Sequence, residues 1–337
     1  MPPLSEESLQ HIFLQLRLGE EIVSTLSRRD DQVKTDRLTL RNLALASKTF
    51  NRLTQPILYQ TFMYEDVDDS HSLALLLRTI ARKPQLARYT NEACMSVPNE
   101  ELECSHYLIR NPALQTCLTD TGRYNNLSTE LHQRVFTGLE AGSQGAACAL
   151  LLRLCVNLTK LEVKVSPGAS GPYGLAIDLV QCLGLGYENA TPSTPAAAEE
   201  YQGLGFGHPL QRLRFLHMKC ADGDEMSDCG RLSPFLRFPS LETVDGTWMF
   251  AWSGSDFAGA TSSSLRRLRL KDSVVDGHGA TALLRARPAL EELCIHWSYS
   301  FSGSNGHFFY TAKNTQLYQP IGEALRQYGT FLKNLGS

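Results

Sequence analysis

The segments LTKLEVKV (158–165), LRRLRL (265–270) and LEELCI (290–295) decide the fold of this 337-residue chain. Each opens with Leu-x-x-Leu and continues with alternating residues, as does LQRLRFLHM from Leu210, and LETV from Leu241 opens with the variant Leu-x-x-Val. Such alternation predicts a short, half-buried strand. Helical leucine clusters precede the first and last of these segments, so helices alternate with strands. This order predicts an α/β fold with a parallel sheet.

The spacing of these segments predicts an irregular leucine-rich-repeat solenoid, with a curved parallel sheet and helices outside it. The leading leucines stand 52, 31, 24 and 25 residues apart, and the last two intervals match such a repeat. One helix and strand cannot bury their apolar faces alone, so neighbouring units must stack. We expect the solenoid at 146–337, with a loop insertion at 167–208 and an incomplete last repeat from Phe331. An ordinary α/β domain with leucine-rich strands is the alternative.

The first 145 residues are predicted to be helical. Apolar residues recur at helical spacing from Leu9 to Leu16 and again from Leu38 to Phe62, and they predict a head of three small helices at 1–64. The charged stretch Gly19–Arg37 between them predicts a loop, and Pro56 predicts a fresh segment. A helical linker with the first irregular repeats follows at 65–145. Its expected helices lie near 72–81, 101–109 and 127–138, with a short strand, or a turn into one, at 86–90. A further helix is expected at 146–154, at the start of the solenoid.

The head resembles the F-box, a helical motif with a Leu-Pro-x-Glu-Ile-x-x-x-Ile-Phe opening and a Leu-x-x-Val-Cys/Ser-Lys-x-Phe close. Ser5 stands where the family usually has Pro, and a long insertion separates the two halves. The tail Pro-Ile-Leu-Tyr-x-Thr-Phe from Pro56 is similar to that of F-box proteins with leucine-rich repeats. The matching positions are Leu4, Glu7, Ile12, Phe13, Leu43, Ala46, Ser47, Lys48 and Phe50.

This resemblance implies a non-catalytic substrate-recognition adaptor in ubiquitin-dependent degradation. The F-box docks on the Skp-type linker subunit of a cullin ubiquitin ligase, while the repeats bind an unknown target protein. The side chains implied in linker docking are Leu4, Leu9, Ile12, Phe13 and Leu43. The alternative is a leucine-rich-repeat scaffold whose degenerate F-box does not bind the linker subunit and only caps the edge of the solenoid.

Residues between the leucines of each strand are expected on the concave face, because side chains alternate along a strand. This set is strongly basic, and Arg and Lys pair with carboxylate or phosphate groups. It therefore predicts a target-binding surface for an acidic or phosphorylated segment, with a merely solvated face as the alternative. The predicted target-binding residues are Lys160, Lys164, Arg212, Arg214, Arg267, Arg269, Lys271 and His296.

Composition and motifs argue against several other functions. The net charge of −3 gives no basic footprint for nucleic acid, and no segment reads as a secretory signal or a membrane span. We therefore expect a protein of the cytoplasm or nucleus. The nine cysteines never form a metal-binding or disulfide pattern, which predicts buried free thiols. No catalytic or cofactor-binding motif is recognisable, so we expect neither an enzyme nor a bound cofactor.

Overall fold

The computed structural model describes most of the strands and helices of the chain. The described residues are 26–64, 70–97, 129–140, 143–165, 210–220, 227–232, 235–251, 264–285, 289–297, 315–329 and 331–336. Four of the predicted linker-docking residues, Leu4, Leu9, Ile12 and Phe13, lie outside this part of the chain. The helix predicted at 101–109 and the insertion predicted at 167–208 also lie outside it.

Seven α-helices lie within the described residues. They are α1 (Leu26–Ala46), α2 (Lys48–Leu58), α3 (Ser70–Arg82), α4 (Thr129–Glu140), α5 (Gln144–Leu154), α6 (Gly277–Arg285) and α7 (Thr315–Tyr328). Short 3-10 helices occur at Pro84–Tyr89, Cys229–Leu232 and Phe235–Arg237. Among the described helices, none has both the length and the hydropathy needed to cross a lipid bilayer.

Ten described strands complete the fold. They are β1 (Thr61–Tyr64), β2 (Glu92–Val97), β3 (Lys160–Val165), β4 (Phe215–Cys220), β5 (Ser227–Asp228), β6 (Thr243–Thr247), β7 (Met249–Ala251), β8 (Arg267–Val275), β9 (Glu292–Trp297) and β10 (Asn334–Gly336). Eight of them form one continuous ladder in the order β1-β2-β3-β4-β6-β8-β9-β10, and every neighbouring pair is parallel. The short strands β5 and β7 continue alongside the second half of β8. The predicted α/β fold with a parallel sheet is confirmed.

Alternate residues of the strands pack against the helices, most clearly in β4 and in the first half of β8. In β8, buried and exposed side chains alternate from Arg267 to Lys271. Because the neighbouring strands are in register, the buried residues form two apolar rows across the sheet. One row is Phe62, Ala93, Leu161, Leu216, Val244, Leu268 and Leu293, and the other is Tyr64, Met95, Val163, Met218, Gly246, Leu270 and Ile295. Burying one such leucine contributes about 1.5–3 kcal/mol.

The helical layer covers these apolar rows. On α3, Leu73, Leu77 and Ile80 recur at helical spacing and are buried. Helix α5 is buried from Gln144 to Arg153 because it lies between α3, α4 and β2. At the other end of the sheet, α6 packs against both β7 and α7. The core is therefore shared between successive strand and helix units.

The structure corrects the prediction for the head in two places. Residues 26–37, predicted as a loop, belong to α1, and Pro56 lies inside α2 instead of starting a new segment. Residues 26–36 are almost entirely polar, so they carry no hydrophobic periodicity from which a helix could be predicted. They continue a helix anchored further along by Leu40, because adding residues to an existing helix costs much less than nucleating one. Pro56 has no N–H, so it leaves one i→i−4 hydrogen bond unmade in the last turn of α2, and the helix accommodates this loss.

Two strand assignments also differ from the sequence prediction. The sheet already begins at Thr61, inside the range predicted for the head, and its second strand starts at Glu92, after the 3-10 helix Pro84–Tyr89. Both strands lack a leading leucine, so the Leu-x-x-Leu pattern did not identify them, although the turn into a strand expected at 86–90 agrees with the 3-10 helix before β2. Strand β4 starts at Phe215, so Leu213 and not Leu210 is its leading leucine. The predicted alternation at this strand was therefore wrong.

Candidate functional site: the outward face of the sheet

The side chains that alternate with the two apolar rows point away from the helices. They form what we call the outward face. The strand register arranges them in three rows. The first row is Glu92, Lys160, Phe215, Thr243, Arg267 and Glu292; the middle row is Cys94, Glu162, His217, Asp245, Arg269 and Cys294; the lysine row is Ser96, Lys164, Lys219, Thr247 and Lys271.

Charges directly before the strands alternate in sign and pair with each other. Arg214 lies 3.1 Å from Glu242, and Arg266 lies 3.4 Å from Glu291. Glu291 is also 2.9 Å from Lys333, and this ion pair lowers the pKa of Glu291. Backbone hydrogen bonds between successive residues of this series hold the neighbouring side chains at strand spacing. This part of the surface is therefore neutralised by its own ion pairs.

The first row is also largely neutralised within the protein. Lys160 lies 3.9 Å from Glu92, and its Nζ is 5.8 Å from the ring centroid of Phe215 on the next strand. Arg269 of the middle row reaches diagonally to Glu292, to which its Nε donates a hydrogen bond of 2.8 Å. That hydrogen bond raises the pKa of Arg269 above its ordinary value. These cations are thus already engaged by acids of the same face.

A line of three polar side chains is centred on His217 of the middle row. It consists of Glu162 in the same row, His217, and Thr247 in the lysine row. Nδ1 of His217 lies 3.6 Å from Oε2 of Glu162, and its Nε2 lies 3.1 Å from Oγ1 of Thr247. Burial by itself raises the pKa of Glu162, but its close approach to His217 and the charges of His217, Lys164 and Lys160 leave it below its ordinary value. The line places a threonine hydroxyl, an imidazole and a carboxylate in sequence. Because 3.6 Å is longer than a good hydrogen bond, Glu162 acts mainly through its charge.

Two carboxylate oxygens flank this line without a hydrogen-bond donor among the described residues. They are Oε1 of Glu162, whose side chain is 6% exposed, and Oδ1 of Asp245. Burial raises the pKa of Asp245, and the charges of His217 and Arg269 offset this only in part. An acceptor that is buried without a donor costs about 1–3 kcal/mol. The middle row therefore carries unsatisfied negative charge in its interior.

The lysine row differs from the other two rows because its charged members are all cationic. Lys164 and Lys219 are directly opposite each other on β3 and β4 and are half-buried, whereas Lys271 is exposed. Thr247 lies between Lys219 and Lys271 in the register. Next to Lys271, a β-bulge sets two residues of β8 opposite His296, which is exposed. Within the described residues, no ion pair joins Lys219 or Lys271 to an acid.

The structure places the eight predicted target-binding residues in several different settings. Lys164 and Lys271 lie in the lysine row, with His296 at its end. Lys160 and Arg267 lie in the first row and Arg269 in the middle row. The two remaining arginines do not lie on the strand face, since β4 starts after them: Arg212 donates to Oδ1 of Asn157 at 2.8 Å, and Arg214 pairs with Glu242.

Sequence reasoning missed His217, Lys219, Asp245 and Thr247. The first two were missed because β4 was read from Leu210, which placed Arg212 and Arg214 between the leucines. Had β4 been read from Leu213, alternation would have put His217 and Lys219 on the outward face. Alternation after Leu241 does place Asp245 and Thr247 on the outward face. They were not selected because the predicted binding surface was defined by its basic residues.

The helical head has its own small core and an exposed apolar face. Leu43, predicted for linker docking, is half-buried and packs with the buried Leu40 and Leu53. By contrast, Leu38 and Leu45 on α1 are 56% and 76% exposed, respectively. Since they are seven residues apart, they lie on the same side of the helix. They are the apolar surface that the described part of the head presents.

The stretch Ser47-Lys48-x-Phe50 has a local structural role. Ser47 is the N-cap of α2, and its hydroxyl oxygen accepts a hydrogen bond of 3.1 Å from the backbone N–H of Phe50. This bond satisfies one of the free N–H groups at the start of the helix. The part of the sequence that most resembles the F-box therefore sets the junction between α1 and α2.

The head is fastened to the first edge of the sheet. Nη2 of Arg37 donates a hydrogen bond of 2.6 Å to the carbonyl oxygen of Thr61 in the edge strand β1. Oγ1 of Thr90 donates to the carbonyl oxygen of Tyr59, just after α2, at 2.8 Å. The first contact engages one backbone carbonyl of the edge strand, and the second joins the end of α2 to the residue that follows the 3-10 helix before β2.

The described cysteines are free thiols. Cys94, Cys148, Cys155, Cys220 and Cys229 are buried, in agreement with the sequence prediction. Burial raises the pKa of Cys148 to about 12, so this thiol does not form a reactive thiolate at neutral pH. Among the described residues, no group of three or more His, Cys, Asp or Glu side chains could hold a metal ion.

No protein-family model matches this chain. Likewise, no curated protein is significantly similar to it. A functional assignment therefore depends on the two surfaces described above, the outward face of the sheet and the exposed apolar side of α1.

Proposed function

We propose that this chain is the substrate-recognition adaptor of a cullin-type ubiquitin ligase in the cytoplasm or nucleus. In this proposal the head docks on the Skp-type linker subunit, and the outward face binds a target protein. Ubiquitin transfer is carried out by other subunits, and the adaptor contributes proximity. Holding a target lysine close to the charged ligase raises its effective concentration without any catalytic group on this chain.

The observation that carries the proposal is the aligned set of polar rows on a parallel sheet whose strands follow chain order. A solenoid of leucine-rich repeats would produce such a face, because each repeat adds one strand beside the previous one. Five buried leucines support this assignment, since each stands two residues before its strand. They are Leu158, Leu213, Leu241, Leu265 and Leu290.

The exposed side of α1 supports docking of the head on a partner. Leu45 is 76% exposed and Leu38 is 56% exposed, although Leu40 and Leu43 on the same helix pack into the small core of the head. An apolar pair on one helix face is a small patch, and it gains free energy only when a partner covers it. The resemblance to the F-box implies that the linker subunit is that partner.

A binding assay with the purified linker subunit tests the proposal. Leu45→Asp should abolish or strongly weaken capture, because a charge replaces an apolar contact and must be desolvated. Leu75→Asp is the matched control, since Leu75 is also an exposed leucine, on α3 outside the head. The double variant with Ile12→Asp and Phe13→Asp tests the residues implied by the resemblance. Circular dichroism must show that every variant keeps its helix content.

A scaffold whose head only caps the sheet is the second candidate. The hydrogen bonds from Arg37 to Thr61 and from Thr90 to Tyr59 favour it, because they show that the head contacts the edge strand. If wild-type protein does not capture the linker subunit, the adaptor proposal fails and the scaffold is preferred. If capture is strong and only Leu75→Asp leaves it intact, the adaptor is supported.

A further inference from the structure

We propose that the lysine row, comprising Lys164, Lys219 and Lys271 with Thr247 between them, binds anionic side chains of an extended acidic segment in the target. This inference rests on the proposed function, because it names the chemistry that the outward face recognises. Carboxylates and phosphoryl groups share this chemistry. The site differs from the basic surface predicted from the sequence, most of whose arginines lie elsewhere or are already paired.

The contrast in charge pairing between the rows is the first argument. Arg214, Arg266 and Lys333 pair with glutamates before the strands, and Lys160 and Arg269 pair with Glu92 and Glu292 on them. The same sheet thus places an acid beside most of its cations. In the lysine row, by contrast, no ion pair joins Lys219 or Lys271 to an acid within the described residues. The residues opposite Lys219 in the register are Lys164 and Thr247.

Repulsion inside the row is the second argument. Lys164 and Lys219 are directly opposite on neighbouring strands, and like charges in that position are destabilising. Both are half-buried, so water screens their charges less than at an exposed site. The buried carboxylate nearest to them along β3, that of Glu162, already interacts with His217, Lys160 and Lys164. An anion from outside that contacts Lys219 would reduce this repulsion, because no described acid forms an ion pair with Lys219.

The spacing of the row fits an extended segment laid across the strands. Strands β3, β4, β6 and β8 are consecutive in the sheet, so Lys164 and Lys271 are three strand spacings apart, or about 14 Å. An extended chain advances about 3.3–3.6 Å per residue, and alternate side chains point to the same side. Acidic residues at positions i, i+2 and i+4 of a target segment would therefore span the row.

Thr247 adds a hydrogen-bonding group at the centre of the row. Its hydroxyl lies 3.1 Å from Nε2 of His217, whose other nitrogen faces the carboxylate of Glu162. When Nε2 of His217 carries a hydrogen and donates it to the Thr247 oxygen, the hydroxyl proton of Thr247 is left to donate to a ligand. The middle row thereby positions a neutral donor between two ammonium groups, which suits an anionic oxygen.

Binding of three labelled peptides to the full chain, followed by fluorescence anisotropy, tests the inference. All share one nine-residue alanine and serine background, with glutamate, glutamine or phosphoserine at three alternating positions. The glutamate or the phosphoserine peptide should bind at least about tenfold more tightly than the glutamine peptide. The better of the two anionic peptides identifies the source of the charge. Equal binding of all three would overturn the inference.

Single-charge variants localise the site. Lys219→Gln and Lys271→Gln should each weaken binding of the anionic peptide by about three- to tenfold, in the range of ion pairs between partly exposed groups. Arg82→Gln, which removes an equal charge at an exposed position on α3, should leave it unchanged. Loss of affinity in all three variants alike would show a nonspecific charge effect and would contradict the assignment.

The linker-subunit assay, repeated with the lysine variants, separates this inference from the proposed function. Lys219→Gln should capture the linker subunit as well as wild type does, because the head is untouched. If the anionic peptides fail to bind while linker capture persists, the inference is wrong and the adaptor role stands. If the peptides bind but the linker subunit does not, the adaptor role is wrong and the anion site stands.

Discussion

The register of β4 can be tested by truncating two adjacent residues, Phe215 and Leu216. Leu216 is fully buried in an apolar row between Leu161 and Val244, so Leu216→Ala removes core contacts and leaves a cavity. Such a change costs about 3 kcal/mol. Phe215 is half-buried on the outward face, where its ring lies near the ammonium group of Lys160. Phe215→Ala should therefore cost only about 1 kcal/mol.

Urea unfolding followed by circular dichroism measures both free energies of unfolding, with the two variants and wild type compared in parallel. Coincident transitions by tryptophan fluorescence must first establish two-state behaviour, since a chain built of stacked units can lose cooperativity. The expected order is a clearly larger loss for Leu216→Ala. A larger loss for Phe215→Ala would show that the strand follows the frame of Leu210, and the lysine row would then be wrongly assigned at β4.

Three further changes test other parts of the structure. Gly279→Ala should destabilise the protein by about 2 kcal/mol, because a Cβ at this position of α6 would overlap the carbonyl oxygen of Ala251. Gly322→Ala in α7 should stabilise it by about 0.5–1 kcal/mol, because nothing lies within 4 Å of the added Cβ. The opposite order of the two free energies of unfolding in urea would contradict the packing. Ser47→Ala should cost about 1 kcal/mol through loss of the N-cap of α2, and an unchanged midpoint would exclude that role. The pKa of Glu162 is lowered on folding, so its carboxylate stabilises the fold above the unfolded pKa of about 4.3 and loses this contribution as pH falls through the folded pKa. The deficit in melting temperature of Glu162→Gln relative to wild type should therefore be largest near pH 7 and shrink below pH 4, and a deficit independent of pH would refute the electrostatic role.

Local patterns predicted the strands that begin with a leucine and the helices with an apolar stripe. Strands β3, β6, β8 and β9 start two residues after the predicted leucine, and α3 extends the predicted helix by one or two residues at each end. These elements are visible in the sequence because half of each surface is buried, so its apolar residues must recur at the period of the backbone. Elements without such a stripe, such as the polar first half of α1, carry no comparable signal.

The lysine row could be predicted only in part. The outward position of Lys164 can be predicted from alternation within β3 alone, and that of Lys271 from alternation within β8 alone. Their relation to Lys219 depends on the register between strands that are far apart in the chain, and an error of a few residues in β4 exchanged Lys219 for two arginines. The ion pairs that occupy Arg214 and Arg269 are likewise contacts between different strands. Charge alone could not show which cations are already neutralised.

The amino-acid sequence by itself determined the alternation of helices and strands, the leading leucines and the side of each strand that is buried. These are properties of single segments, because burial of one face makes apolar residues recur at the backbone repeat of that helix or strand. Only the tertiary structure decided which strands are neighbours, in which register they pair and which charges meet. Those outcomes depend on contacts between distant segments, where one residue of slip moves every side chain to the opposite face.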